Sequence, residues 1–277
     1  AENVAAIARE NGVLTHSQFF TERMAKGLAD EKRADLILAN NVFAHAPDIN
    51  DFVAGLHRLL SKDGSAILEF PHALEMFAQG EFDTIYHEHV FYFTLTALQP
   101  LMARHNLRIT RVESIPIHGG SMRIYMRHVH HSEDETVAAM LQKESDAGVT
   151  TKKYYEDFSK RAQVTKSVLE TTVFAIRKTG ERVAAYGAAA KGSTLLNFCN
   201  LNSDDIEFVA DRSPHKHGRL TPGSHIPIVP AEELAERAPD VTLLLAWNFA
   251  DEILEQQSAY REAGGRFLIP IPESREV

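Results

Sequence analysis

Residues 33–70 read "RADLILANNVFAHAPDINDFVAGLHRLLSKDGSAILEF", and this stretch sets the architecture. The short apolar run Leu36 to Ala39 is followed by the polar residues Asn40, Asn41 and His45. A run of that length bounded by turn residues suits a buried parallel strand. The next segment has helical periodicity: Phe52, Val53, Leu56, Leu59 and Leu60 share one face, and Gly64 is expected to end the helix. "SAILEF" then reads as a second strand. Strand, helix and strand in that order indicate an α/β sheet layer.

The pattern continues outward in both directions. "TLTALQPLMARHN" reads as a helix capped by Thr94, because a threonine side chain can accept a hydrogen bond from a free N–H of the first turn. "LRITRVESIP" and "GSMRIYMRH" read as a strand pair around Pro116 and Gly119-Gly120. Beyond His128 the alternation stops. "SEDETVAAMLQKESDAG" and "TTKKYYEDFSKRAQVTKSVLETTVFAIRKTG" read as two consecutive helices with a break near Gly148. Strand and helix alternate again from "RVAAYG" to "RFLIPI", giving a second doubly wound unit. The expected division is 1–130 for the first α/β domain, 131–180 for a helical connector and 181–277 for a Rossmann-like domain. The chain opens with "AENVAAIARENG", a helix already under way and closed by Gly12, which suggests a fragment.

Composition narrows the class. The 277 residues are 44% hydrophobic and 24% charged, as in a soluble globular protein. A net charge of −9 argues against nucleic acid as the main partner. No apolar run approaches the ~20 residues of a membrane helix, and no signal peptide opens the chain. A cytoplasmic location is expected. The single cysteine, Cys199, rules out an internal disulfide and a multi-cysteine zinc site within these residues.

Three stretches carry chemistry. In "FDTIYHEHVFYFT", 82–94, two histidines, a glutamate and two tyrosines lie among aromatic residues. If the segment is a strand, His87 and His89 point the same way, with Glu88 opposite. A general base, a metal ligand and an edge strand with surface histidines all fit that spacing. Histidine is the natural base near neutral pH, and no further metal ligands are evident. In "VAAYGAAAKGSTLLNF", Gly187 and Gly192 let backbone approach a ligand, and the helix start offers free N–H groups to an anion. The order Lys191-Gly192-Ser193 is not that of a P-loop, and a tight turn packed by alanines is the plain alternative. The long segment "VADRSPHKHGRLTPGSHIPI" places Asp211 at a strand end, followed by Lys216 and Arg219, and "AWNFADE" places Trp247 and Asn248 at another. Trp247 suits either a base-stacking surface or the core. "RHVHHSEDE" reads as a solvated connector, and no metal site is expected.

Five ordered segments, "FDTIYHEHVFYFTLTAL", "PIHGGSMRIY", "YGAAAKGSTLLNF", "RLTPGSHIPI" and "AWNFADEI", resemble the sugar C-methyltransferases that act on deoxythymidine-diphosphate (TDP) keto-deoxysugars. The resemblance covers essentially the whole chain. It implies a cysteine-rich zinc-binding N-terminal piece, a class I S-adenosylmethionine (SAM) methyltransferase domain and a C-terminal Rossmann-like domain for the nucleotide. On this resemblance His89, in Tyr86-His87-Glu88-His89, is the base, with Tyr86 and Glu88 beside the sugar. His45 matches another active-site histidine. Lys191, Ser193, Asn197, Lys216 and Arg219, with Trp247 and Asn248, then form a nucleotide-diphosphate pocket. The family's glycine-rich cofactor loop, the acidic residue after its second strand and the zinc-binding cysteines have no counterpart here. Only the cofactor floor around Asn40 and Asn41 is expected, and zinc only in a piece upstream.

The implied chemistry is SAM-dependent C-methylation through an enolate. The same base could instead run an isomerisation or epimerisation, which a requirement for a methyl donor would exclude. A module that binds a sugar nucleotide without catalysis is the other alternative, tested by titration with thymidine diphosphate.

Overall fold

A computed structural model describes residues 2–117 and 119–277. His118, within the segment "PIHGGSMRIY", lies outside the described residues. The elements in chain order are α1 (Glu2–Glu10), α2 (Glu22–Glu31), β1 (Ala34–Asn40), α3 (Ile49–Leu59), β2 (Leu60–Pro71), α4 (Ala73–Gln79), α5 (Leu95–Arg104), β3 (Leu107–Ile115), β4 (Ser121–His128), α6 (Glu135–Ala147) and α7 (Lys152–Lys178). There follow β5 (Val183–Tyr186), α8 (Ala190–Phe198), β6 (Val209–Asp211), β7 (Ile228–Pro230), α9 (Glu233–Arg237), β8 (Val241–Leu244), α10 (Ala250–Gln256), α11 (Ser258–Glu262), β9 (Arg266–Ile269) and β10 (Arg275–Glu276). Short 3₁₀ turns cover Phe43–His45, Phe82–Thr84 and Trp247–Phe249.

The strands form two sheets. The first has the order β1-β2-β4-β3, with β1 and β2 parallel and the other two pairs antiparallel. The second has the order β10-β9-β8-β5-β6-β7, parallel apart from β10. In the second sheet the chain runs outward from β5 through β6 to β7, then returns to the other side of β5 as β8. The C-terminal ends of β5 and β8 therefore form a topological switch point, the usual ligand crevice of an open α/β sheet.

Two cores result. Phe43, Phe70, Leu98 and Met122 belong to the first, which also takes in Val137 and Met140 of α6. The second holds the strands β5, β8 and β9 together with Leu169, Val173 and Ile176 of α7. The two connector helices thus divide their apolar faces between the cores. Phe82 belongs to the second core, and its ring lies 4.7 Å from that of Phe198. The segment after α4 is consequently anchored in the C-terminal unit.

The caps follow the sequence. Thr94 Oγ1 accepts from the N–H of Ala97 at 3.2 Å, and Gly148 ends α6 in the left-handed conformation. Two expectations are corrected, and one of the open alternatives is excluded. Gly64 does not end a helix: α3 stops at Leu59, β2 begins at once, and Gly64 sits at an irregularity in the β1–β2 pairing. A Cβ there would meet the Ala34 carbonyl oxygen at 2.8 Å, so the glycine allows close strand approach. Nor is β1 a buried strand. It lies at the edge of its sheet, and Leu36 and Leu38 are 55% and 62% exposed. Finally, 82–94 is not a strand. It is a 3₁₀ turn followed by tight turns, tied to the first unit by hydrogen bonds from Val90 and Phe91 N–H to Ala44 O.

Candidate active site

The segment after α4 delivers its two histidines to different places. The side chain of His87 is exposed, whereas His89 is half-buried. The Nδ1 of His89 lies 2.9 Å from the Thr84 carbonyl oxygen. A carbonyl only accepts, so Nδ1 carries the proton and Nε2 keeps a free lone pair. The Tyr86 hydroxyl, 3.1 Å from Nε2, is placed to donate to it. Burial, opposed by the Thr84 bond and reinforced by His45, lowers the His89 pKa below its ordinary value. The ring is therefore neutral at pH 7 and able to take a proton. Burial also raises the Tyr86 pKa, so the phenol remains a donor.

His45 lies at the end of the first 3₁₀ turn, just beyond β1, with its ring centroid 5.0 Å from that of His89. Its Nδ1 bonds to the Glu88 carbonyl oxygen at 2.6 Å. Glu88 thus contributes its backbone, while its side chain is exposed and 4.0 Å from His87. Asn41, held at a positive φ of 53° with its N–H on the Glu69 carbonyl oxygen at 2.7 Å, completes this wall. Asn40 is exposed and lies outside it.

A cavity of about 290 Å³ opens between the two units, and Asn41, His45, Tyr86, His89, Lys191 and Asn248 lie on its wall. Lys191 and Asn248 come from the switch point of the second sheet. The Lys191 ammonium bonds to Asn248 Oδ1 and sits 3.8 Å above the Trp247 ring. Trp247 is buried, and its indole N–H donates to Asp83 Oδ2 at 2.7 Å. The indole therefore offers no free face for a base on the Lys191 side.

Sequence reasoning missed the two carboxylates beneath this group. Glu81 and Asp83 are buried. Burial raises Glu81 to about 8, with help from the Asp83 charge, and raises Asp83 to about 6 despite Lys191 and the Trp247 bond. Burial lowers Lys191 to about 8, against the pull of both carboxylates. Glu81 Oε1 and Asp83 Oδ1 have no hydrogen-bond partner among the described residues. Two acidic residues flanking Phe82 in an otherwise apolar turn were the available signal.

The remaining expected anion-binding residues do not line this cavity. Asp211 Oδ2 accepts from the N–H of Ala188 at 2.7 Å and pairs with Lys216 at 3.0 Å. The turn after β5 thus already holds an anion of the protein's own. Its glycines serve packing: a Cβ on Gly187 would meet Ala246 Cβ at 2.7 Å, and one on Gly192 would meet Leu245 Cβ at 2.9 Å. Asn197 donates to the carbonyls of Ser193 and Pro222, and Arg219 is exposed. Among the described residues Asp63, His130 and His131 could hold a metal ion, with ligand atoms within 4.8 Å of one another. They lie on β2 and just beyond β4, outside the cavity.

A methyl-transfer domain joined to a C-terminal partner is what sequence comparison finds as well. Residues 3–112 match the methyltransferase domain family and residues 116–272 the C-methyltransferase C-terminal domain family. The chain belongs to the C-methyltransferases, which makes it a SAM-dependent enzyme class by descent. It is 37% identical over 280 residues to C-methyltransferase NovU from Streptomyces niveus, covering 100% of this chain and 67% of that protein. Among the described residues no helix is long and apolar enough to cross a membrane.

Proposed function

We propose that the enzyme C-methylates a keto-deoxysugar carried on thymidine diphosphate, through an enolate formed by His89. A hydrogen beside a ketone is weakly acidic, and a neutral imidazole held at the right distance can remove it. The His89 Nε2 takes the proton, and the bonding pair moves toward the carbonyl oxygen. Tyr86 orients the imidazole, and His45 shares the wall. Asn41, at the C-terminal end of the strand nearest the two histidines, fits the acceptor side of SAM: its left-handed backbone turns an amide side chain to the cavity. When bound, SAM supplies the methyl group that the carbon accepts. The nucleotide is assigned to the C-terminal unit, from about residue 181, beyond the helical connector at 131–180, and the first domain to 1–130.

The observation that carries this reading is the tautomer of His89. With Nδ1–H committed to Thr84 O, Nε2 is the accepting nitrogen; it lies 3.1 Å from the Tyr86 hydroxyl, and both side chains line the cavity. His89→Asn should lower the turnover number by about 10² to 10⁴ while leaving sugar-nucleotide affinity nearly unchanged. Deuterium exchange at the sugar carbon beside the ketone, followed by NMR in D₂O, isolates the first step. Exchange at the native rate in His89→Asn would transfer the role to His45.

A further inference from the structure

We propose that Lys191 is a catalytic residue: its ammonium, delivered by the C-terminal unit, stabilises the negative charge that develops on the substrate's carbonyl oxygen. The proposal rests on the enolate reading above. Of the described residues lining the cavity, Lys191 alone is a lysine or arginine. Lys216 is paired with Asp211, and Arg219 lies in an exposed loop. The Tyr86 hydroxyl is already engaged with His89 Nε2. The cation on this wall therefore comes from the half of the molecule that does not carry the base.

Lys191 is also held in a way that a surface lysine is not. Its ammonium sits on the Trp247 face and bonds to Asn248 Oδ1. The Trp247 N–H is in turn fixed on buried Asp83. Such a charge is oriented before the substrate arrives, in surroundings poorer in water than the surface. A donor of that kind stabilises developing charge without reorganising in the reaction. Glu81, raised to about 8, stays largely protonated at neutral pH, while Asp83, raised to about 6, is mostly ionised. One carboxylate thus keeps Lys191 protonated without a second neutralising it. The step balances within the site: the C–H bond breaks, its proton goes to His89 Nε2, and the electron pair moves through the new C=C bond onto the oxygen beside Lys191.

The test uses a thymidine-diphosphate 4-keto-6-deoxyhexose in D₂O, with S-adenosylhomocysteine in place of the methyl donor. Lys191→Met should lose about 10²-fold or more in α-hydrogen exchange, with thymidine diphosphate affinity within threefold of native. Lys191→Arg, which keeps the charge but does not titrate near pH 8, should retain part of the rate. It should also lose the alkaline fall expected near pH 8 in the native profile. Native exchange in Lys191→Met overturns the proposal. So does a loss of thymidine diphosphate affinity as large as the loss of rate, which would put Lys191 on the diphosphate. Lys191→Arg also guards against misfolding of the methionine variant, and full inactivity of a folded Lys191→Arg protein overturns the proposal too. Absence of exchange in the native enzyme would remove the enolate reading itself, and the proposal with it.

Discussion

Glu81 sits in surroundings far removed from those of a free side chain. It is buried, with no partner for Oε1 among the described residues, beside Gly119, where a Cβ would clash with its carboxyl at 2.1 Å. Burial raises its pKa from 4.5 to about 8. Between those values the unfolded chain has lost the proton and the folded chain keeps it. Its stabilising share is therefore complete below pH 4.5 and is lost as pH rises through about 8. Asp83 acts in the same direction over a lower range, up to about 6. Lys191 acts oppositely: burial lowers it from 10.5 to about 8, so its contribution improves as pH rises between those values. Glu81→Gln keeps the volume and removes the titration. Thermal melts from pH 5 to 8 should fall less steeply for this variant than for the native protein, and at pH 8 the variant should be the more stable. Parallel melting curves would place the titration elsewhere.

Among the elements, α6 illustrates what the sequence showed and what it concealed. Its helical period and its Gly148 stop are local signals found where expected, and in the structure Asp134 caps its start. Glu144, in the last turn of the same helix, reads as an ordinary surface glutamate. In the fold it is fully buried and accepts from Leu95 N at 2.6 Å, Thr96 N at 2.7 Å, Thr96 Oγ1 at 2.6 Å and His72 Nε2 at 2.8 Å. It therefore satisfies the start of α5 and joins α5, α6 and the end of β2. Burial raises its pKa, but the bonds from His72, Thr96 and Leu95 together outweigh burial and hold it below the ordinary value. Glu144→Ala strands these four donors, at a cost of about 3 kcal/mol. A fall in Tm of roughly 10 °C is expected, and a fall of less than about 2 °C would show that solvent reaches the site. The same contrast holds for the candidate site. His89 and Tyr86 lie in one short motif and were legible. Asp83 meets Trp247 across 164 positions, and pairings at that separation leave no local pattern. The edge position of β1 was hidden for the same reason: an apolar run looks alike whether it has one neighbour or two.

The whole molecule divides its proposed work between two sheets, and the first sheet is open on one side. β1 pairs with β2 alone among the described residues, leaving a row of backbone donors and acceptors and the side chains of Leu36 and Leu38 facing outward. A parallel strand that apolar is usually covered on both faces, and an open apolar edge invites pairing with another strand. These 277 residues span 67% of NovU. Beyond that edge a class I cofactor site would take its glycine-rich turn and the acidic group that grips the ribose. Of the two expected cofactor-floor residues, Asn41 lines the cavity, and Asn40 is exposed and outside its lining. The 277-residue polypeptide, prepared by itself and verified by mass, should therefore bind SAM with a Kd weaker than about 100 µM, roughly −5.5 kcal/mol. Thymidine diphosphate binding should survive, because the second sheet is complete around its switch point and has its own core. Calorimetric titration of both ligands into one sample is the measurement. Micromolar affinity for SAM would mean that the open edge of β1 is not where the cofactor's missing contacts belong.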